Sequence, residues 1–97
     1  MHAVIRKYTA SPDVLDEARP KLAQLEQTMR QTPGFVAYYF LETEDGLTTI
    51  TITEDETGTQ ESMDRAATWV RQNLAQSGGS MSAPDVTTGR TLISATR

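Results

Sequence analysis

Residues 35–54, FVAYYFLETEDGLTTITITE, contain the clearest structural pattern of the sequence. The first seven residues, 35–41, are apolar and aromatic, which predicts a strand. Glu44-Asp45-Gly46 predicts a hairpin turn, because Asp-Gly tolerates the positive φ angles of a tight turn. From Leu47 to Glu54 threonine alternates with isoleucine, which predicts a strand with hydroxyls on one face and apolar groups on the other. The stretch therefore predicts two antiparallel strands.

A pattern with helical spacing precedes this hairpin. Ser11 suits an N-cap, and Pro12 suits the first helical position, where its missing N–H is not needed. From Asp13 to about Gln31 apolar residues recur every three or four positions, which predicts an amphipathic helix. Pro20 interrupts this pattern and predicts a kink, or a short first turn followed by a restart.

A second helical pattern follows the hairpin. The acidic residues 54–56 favour the positive end of a helix dipole. Thr57 with Gln60 fits a capping box, and Thr59 is an alternative cap. The predicted apolar stripe of this helix consists of Met63, Ala67, Val70 and Leu74.

Two outer strands complete the fold. Residues from His2 to Thr9 are rich in strand formers, and Val86 to Ala95 predicts a last strand, with Gly89 as a possible bulge. Gly78 or Gly79 is placed to end the second helix. The order βαββαβ predicts an α+β, ferredoxin-like antiparallel sheet with two helices on one face, as a single domain over residues 1–97.

The second strand is apolar on both sides. Strict alternation places its residues in two sets, Phe35, Ala37, Tyr39 and Leu41 on one face and Val36, Tyr38 and Phe40 on the other. A sheet that is apolar on both faces is typically covered on both faces. Two helices cover only one face, so we expect the other to pair with a second copy of the chain in a homodimer.

The composition argues against several classes of protein. The formal net charge is −4 and the sequence contains no basic run, which excludes the electrostatic footprint of a nucleic-acid binder and disfavours anionic membranes. There is no cysteine, and no metal-ligand spacing or phosphate-binding loop occurs. The N-terminal apolar stretch is too short for a signal peptide, and no window approaches the length of a transmembrane helix. We therefore expect a cytoplasmic protein that binds no metal.

Several short motifs resemble those of the antibiotic biosynthesis monooxygenase-like dimeric α/β-barrel proteins. They are Tyr8 at the end of strand one, Pro33-Gly34-Phe35, and a helix-two run that includes Glu61-Ser62, Ala66-Ala67 and Trp69-Val70. The resemblance implies a homodimer with a pocket between sheet and helices. Characterised members include cofactor-independent oxygenases of aromatic polyketides and haem-degrading enzymes.

The sites of those relatives carry over only in part. They use an asparagine on strand one and a tryptophan on helix two, with a helix-two histidine in the haem degraders. Only the tryptophan has a counterpart, Trp69, since His2 is the single histidine of the chain. The resemblance therefore implies no haem and no other cofactor.

Trp69 heads the candidate ligand-binding residues. As a site residue its indole would pack against a flat aromatic ligand and donate a hydrogen bond, and as a core residue it would pack beside the predicted stripe. Arg6 and Tyr8 share one face of strand one, where they would hold an anionic or phenolic compound or pair across a dimer. Asn73 lies one turn after Trp69 and would reach the same pocket or meet water.

Adjacent strand residues face opposite sides, so only one of Tyr38 and Tyr39 is expected to line a pocket. His2 would act as a base or remain solvated near the terminus. Hydroxyls at positions 49, 51 and 53 would orient a ligand, or they reflect β-propensity on a half-exposed face, which we prefer.

The sequence leaves two functions open. The first is a cofactor-independent monooxygenase that acts on a small aromatic compound. The second is a non-catalytic homodimer that binds a small ligand or has a structural role. An enzyme or a ligand-binding protein should have an enclosed pocket bordered by Trp69 and at least one of Arg6, Tyr8, Tyr38 or Tyr39. If these side chains fill the space between sheet and helices, the enzyme has no site.

Overall fold

The computed structural model describes residues 1–74 and 81–97, and its elements follow the predicted order. The elements are β1 (His2–Thr9), α1 (Pro12–Ala18), a 3₁₀ turn (Arg19–Lys21), α2 (Leu22–Arg30), β2 (Phe35–Thr43), β3 (Gly46–Thr53), α3 (Glu56–Asn73) and β4 (Asp85–Arg90).

The four strands form one antiparallel sheet in the order β2-β3-β1-β4. β1 lies between β3 and β4, so that His2 is opposite both Thr53 and Arg90. β2 and β4 are the edge strands. This is the ferredoxin-like arrangement, and the predicted fold class is confirmed.

The interruption predicted at Pro20 is confirmed. α1 ends at Ala18, a 3₁₀ turn contains the proline, and α2 begins at Leu22. Proline has no N–H to donate within a helix, and its ring clashes with the preceding turn. Ser11 occupies the N-cap in an extended conformation before Pro12, although its side chain makes no capping hydrogen bond.

The hairpin turn is confirmed, but the reason for its glycine is different. Thr43 pairs with Gly46, which leaves a two-residue loop at 44–45. Among the described residues the positive-φ position is Gly34, at 71°, and Gly46 is not one. A Cβ at Gly46 would collide with the Tyr8 carbonyl oxygen and lie 2.7 Å from the backbone nitrogen of Ala10. The glycine is needed for close packing of β3 against the end of β1.

The stripe predicted for α3 is correct for Leu74 and in part for Val70, but it misses the buried side of the helix, and the predicted cap is wrong. The residues of α3 that are buried are Gly58, Thr59, Ser62, Ala66 and Trp69. The predicted stripe residues Met63, Ala67 and Val70 each follow one of the buried residues directly in sequence. Ala67 is exposed, and Leu74 is buried just beyond the end of the helix. Small hydroxyl residues replace apolar ones here because their hydroxyls are satisfied locally: the Ser62 Oγ donates to the Thr59 carbonyl at 2.7 Å.

The N-cap of α3 is Asp55. Its side chain accepts a hydrogen bond from the Gly58 N–H at 3.0 Å, so the caps predicted at Thr57 and Thr59 are wrong. The two glycines predicted to end the helix, at 78 and 79, lie outside the described residues.

The last strand is shorter than predicted. β4 ends at Arg90, opposite His2, and the Thr91 N–H that follows it donates to the Met1 carbonyl at 2.9 Å. The register passes Gly89 without a shift, so the predicted bulge is wrong. Leu92 and Ile93 follow the strand and are 84% and 87% exposed.

A β-bulge changes which face the start of β2 presents. The pairing with β3 shifts between Phe35 and Ala37, so Phe35 packs against the core while Ala37 does not. The predicted placement of Phe35 with Ala37, Tyr39 and Leu41 is therefore wrong, because strict alternation holds only without a bulge.

The sheet has two faces that we name by what lies over them. The covered face packs against the helices, and its residues include Val4, Arg6, Tyr8, Tyr38, Phe40, Leu47, Thr49, Thr51 and Thr53. The open face has none of the described helices over it, and its residues include Ala3, Ile5, Ala37, Tyr39, Leu41, Ile50 and Ile52. The buried core joins the covered face to α1, α2 and α3 through Val14, Leu15, Ala18, Leu25, Met29, Leu47, Ala66, Trp69 and Leu74.

Candidate functional site between sheet and helices

A small cavity lies between the covered face and the helices. Its volume is about 20 Å³, which is room for one water molecule. Most of its wall is apolar and comes from α2, α3 and the sheet. The polar groups that line it belong to Arg6, Tyr8, Tyr38, Thr49 and Trp69.

Among the described residues that line the cavity, Arg6 alone carries a charge. The residue is 5% exposed, and its Nε has no hydrogen-bond partner. No ion pair or hydrogen bond joins it to another residue within the described parts of the chain. A buried charge is usually paired, because desolvation of an unpaired ion costs several kcal/mol. The position of Arg6 therefore requires an explanation.

Tyr38 is the neutral phenol of the site. Burial raises its pKa above the usual value, and nearby Tyr8 adds to the rise. The Arg6 guanidinium and the Thr49 hydroxyl lower the pKa, but they do not outweigh burial. Tyr38 therefore keeps its proton near neutral pH and is available as a hydrogen-bond donor rather than as a base.

Trp69 belongs both to the core and to the cavity wall. It is 4% exposed and packs within the core, and its indole lines the cavity. Its Nε1 is buried without a hydrogen-bond partner. A buried tryptophan N–H is normally paired, so two residues of the cavity wall, Trp69 and Arg6, each have a buried N–H without a partner.

An open groove adjoins the cavity on the side of β4. Its volume is about 440 Å³, within the range typical of small-molecule sites. The cavity and the groove share four lining residues, Arg6, Tyr8, Val70 and Met81. These four form the boundary between the two spaces.

Two candidate residues lie away from the cavity. Tyr39 is 50% exposed on the open face. The Asn73 side chain donates through Nδ2 to the Trp69 backbone carbonyl oxygen at 3.0 Å. The backbone carbonyl of Asn73 accepts from the Lys21 ammonium. Asn73 therefore holds the end of α3 in place and does not line the cavity.

His2 takes part in a hydrogen-bond network and does not reach the cavity. Its Nδ1 lies 3.0 Å from the Thr59 Oγ1, which is 2.9 Å from the Thr53 Oγ1. Thr53 in turn donates to the Asp55 carbonyl at 2.7 Å. The network ties β1 and β3 to the first turn of α3, so the interpretation of His2 as a solvated terminal residue is wrong.

The threonines of β3 are buried, contrary to the preferred interpretation of a half-exposed face. Thr49, Thr51 and Thr53 are 4%, 1% and 0% exposed. Thr49 lines the cavity, in agreement with the alternative that its hydroxyl would orient a ligand, which we did not prefer. Met81 was missed, because it lies between the second predicted helix and the last predicted strand, where no periodic pattern marks it.

Two other classes of feature are absent from the described residues. These residues contain no group of three or more histidine, cysteine, aspartate or glutamate side chains that would hold a metal ion. None of their helices is long and apolar enough to cross a membrane.

The sequence matches the family model of antibiotic biosynthesis monooxygenases over residues 1–55. This match includes β1, β2 and β3, and therefore Arg6, Tyr8, Tyr38 and Thr49. Trp69 lies outside the matched residues. No curated protein sequence matches the chain.

Solved structures with the same fold come from several organisms. A protein of unknown function from Nitrosomonas europaea, NE2512, has a TM-score of 0.75 at 17% identity, covering 99% of this chain and 93% of that one. Rv0793 from Mycobacterium tuberculosis has a TM-score of 0.69 at 23% identity, covering 98% of both chains.

Some of the similar structures contain a ligand. The ActVA-Orf6 monooxygenase from Streptomyces coelicolor, in complex with nanaomycin D, has a TM-score of 0.63 at 19% identity. The superposition covers 98% of this chain and 91% of the ActVA-Orf6 chain. At identities below 25%, the similarity shows a shared fold only.

Proposed function

Because this chain belongs to the antibiotic biosynthesis monooxygenase family, we propose that it binds a small aromatic compound beside Arg6 and oxygenates it without a cofactor. The compound occupies the groove, and a polar group of it reaches into the cavity. Fold alone does not determine a reaction, so the proposal depends on the site.

The observation that carries the proposal is the pair of buried donors without acceptors. Arg6 Nε and Trp69 Nε1 both lack partners, and both residues line the same cavity. Leaving a buried donor unsatisfied costs about 1–3 kcal/mol. An oxygen atom of a bound aromatic compound would give these donors an acceptor and offset that cost.

The reaction that fits such a site takes its electrons from the substrate. A phenol with hydrogen at its para carbon reacts with one O₂ to give a quinone and one water. One oxygen atom enters the ring carbon, and the other leaves in the water with the two hydrogens. The guanidinium of Arg6 would stabilise the phenolate that forms, because donors held in a dry site act strongly on developing charge.

Oxygen consumption with a panel of phenols and quinols tests the proposal. We expect uptake with at least one compound, and incorporation of one ¹⁸O atom from ¹⁸O₂ into its product by mass spectrometry. Uptake that does not depend on the protein, or products without ¹⁸O, would contradict oxygenation.

Two matched variants locate the reaction. Tyr8→Phe removes a hydroxyl from the boundary of the site, whereas Tyr39→Phe makes the same change on the open face. We expect the first to lower kcat/KM by about tenfold, the loss that follows from one hydrogen bond of about 1.4 kcal/mol. The second should leave kcat/KM within about twofold of the wild type.

A non-catalytic binding module is the second candidate function. The observation that favours it is the small volume of the cavity, about 20 Å³, which the side chains of the core almost fill. This candidate predicts that an aromatic compound binds and raises the melting temperature, but that no oxygen is consumed.

We also propose that the protein is a homodimer that pairs through its open face. Ile5, Ile50 and Ile52 lie next to one another on neighbouring strands, with Tyr39 and Leu41 beside them on β2. Tyr39 and Leu41 are 50% and 44% exposed, which is unusual for a contiguous apolar patch in a monomer. Sedimentation equilibrium measures the mass in solution, and a monomer at micromolar concentration would contradict the proposal.

A further inference from the structure

We propose that the ligand of this site is an aromatic carboxylate, whose carboxylate binds Arg6 at the boundary between cavity and groove. The inference rests on the proposed function for the location of the ligand, but not for the oxygenation. It deepens that function by naming the charge and the chemical class of the ligand.

The first argument is the uncompensated charge. Arg6 is 5% exposed, and no carboxylate in the described residues pairs with it. Apart from Arg6, the charged side chains of the groove are Asp64 and Arg71, whose opposite charges leave that of Arg6 in excess. A guanidinium that is buried, unpaired and adjacent to open space lacks only an anion. The ligand supplies this anion.

The second argument is size. The cavity of about 20 Å³ accepts a single oxygen-sized group, whereas the groove of about 440 Å³ accepts a ring system. Arg6 lines both spaces and therefore lies where the polar end of such a ligand meets its ring. Tyr8, Val70 and Met81 form the rest of this boundary and offer apolar surface to the ring.

The third argument is the kind of anion. A simple phenol is neutral at pH 7, because its pKa is about 10, and it brings no charge to offset that of Arg6. A carboxylate is ionised, and its two oxygens match the planar fork of a guanidinium. Tyr38, which burial keeps protonated, is available to donate to the same group.

The test compares two probes of the same shape and different charge. Isothermal titration calorimetry at pH 7 under nitrogen gives the affinities of 2-naphthoate and its neutral amide, 2-naphthamide. We expect 2-naphthoate to bind at least about 30-fold more tightly, since removing one partner of a buried charge pair has effects of that size. Equal affinities, or no binding of either probe, would overturn the inference.

Two arginine variants assign the effect to Arg6. Arg6→Met should abolish the preference for 2-naphthoate, whereas Arg90→Met removes the same charge from exposed β4 and should leave the preference within about twofold. The free Arg6→Met protein should melt no lower than the wild type, because it no longer buries an unpaired charge. A preference that survives Arg6→Met would overturn the inference.

If Arg6→Met does not fold, Arg6→Lys provides the second variant. It retains the charge but not the fork, so it should bind 2-naphthoate less tightly than the wild type while still preferring it to the amide. Unchanged affinity in Arg6→Lys would overturn the bidentate contact.

The experiments separate this inference from the oxygenase proposal. Binding of 2-naphthoate under nitrogen involves no oxygen, so it can succeed while every oxygen-uptake assay fails. Conversely, oxygenation of neutral phenols with no preference for the carboxylate would support the oxygenase and overturn the inference.

Discussion

The two faces of the sheet differ in where the central strands place their polar residues. Under the helices, β3 presents Thr49, Thr51 and Thr53, and β1 presents the charged Arg6 among apolar residues. On the side without helices, β3 presents Ile50 and Ile52 and β1 presents Ile5, next to the pair Lys7 and Thr48. Apolar residues normally face the core and polar ones face water. The difference is explained if the covered face binds a polar ligand and the open face binds a second copy of the chain.

The covered face has two parts that differ in how their polar groups are satisfied. At the His2 end, Thr53 and Thr59 share a complete hydrogen-bond network with the start of α3. Further along the sheet, Thr51 and Arg6 have buried polar atoms without partners. The first part stabilises the fold, and the second keeps polar groups available at a stability cost.

The largest effect is expected on the open face. Ile50→Lys places a charge at the centre of the proposed interface, opposite Ile5 and Tyr39. Burying an unpaired charge should weaken the dimer by about 3–5 kcal/mol, or more than 100-fold. Sedimentation equilibrium measures the dissociation constant.

Gln24→Lys is the control for this variant, because it introduces the same side chain on the exposed surface of α2. It should leave the dissociation constant within about threefold of the wild type. A dimer that tolerates Ile50→Lys would show that the open face is not the interface and would leave its apolar residues without an explanation.

The difference between the faces was predictable from the sequence in β3 but not in β2. Alternation of threonine with isoleucine identified the two faces of β3 because nothing interrupts that strand. In β2 a bulge between Phe35 and Ala37 shifts the alternation, and an aromatic run carries no polar residue to mark the shift. Phe35 was therefore assigned to the wrong face.

Much less of the candidate site was predictable. Arg6, Tyr8 and Tyr38 could be placed on faces of single strands, but their meeting at one cavity depends on the register between strands and on α3. The orientation of α3 was misjudged because Thr59 and Ser62 are buried through local hydrogen bonds, which a hydrophobic pattern does not register. Trp69 was therefore placed beside the buried stripe when it belongs to that stripe.

The next largest effect should come from the satisfied part of the covered face. Thr53→Val removes a hydroxyl that donates to the Asp55 carbonyl and is 2.9 Å from the Thr59 Oγ1. The Asp55 carbonyl keeps the Thr59 N–H as a donor, and the Thr59 Oγ1 keeps its contact with His2. The variant therefore loses two hydrogen bonds of about 0.5–1.5 kcal/mol each, so the free energy of unfolding should fall by about 1–3 kcal/mol. Urea denaturation measures this change, and a stability equal to that of the wild type would show that the network contributes nothing.

Alkaline pH should destabilise the covered face through Tyr38. Burial raises the pKa of Tyr38 in the folded state above its unfolded value of about 10. Above that pH the unfolded chain loses the proton first, so the folded state binds more protons and the free energy of unfolding falls as pH rises. The expected slope from this residue is about 1.4 kcal/mol per pH unit, and the stability is retained below pH about 10.

Tyr38→Phe tests this assignment, because it removes the titrating hydroxyl and retains the ring. Its free energy of unfolding, measured by urea denaturation between pH 8 and pH 11, should decline less steeply than that of the wild type above pH about 10. Parallel curves for the two proteins would show that another group causes the alkaline loss.

The smallest effect should have the opposite sign, at Thr51. This residue is 1% exposed, and its hydroxyl has no hydrogen-bond partner, unlike that of Thr53 two positions away on the same face. Thr51→Val replaces the unsatisfied hydroxyl with a methyl group of similar size, so the protein should become more stable by about 0.5–1 kcal/mol. Calorimetry should show a melting temperature higher by about 2–8 °C. A lower melting temperature would mean that the hydroxyl is already satisfied, and the division of the covered face into two parts would then be wrong.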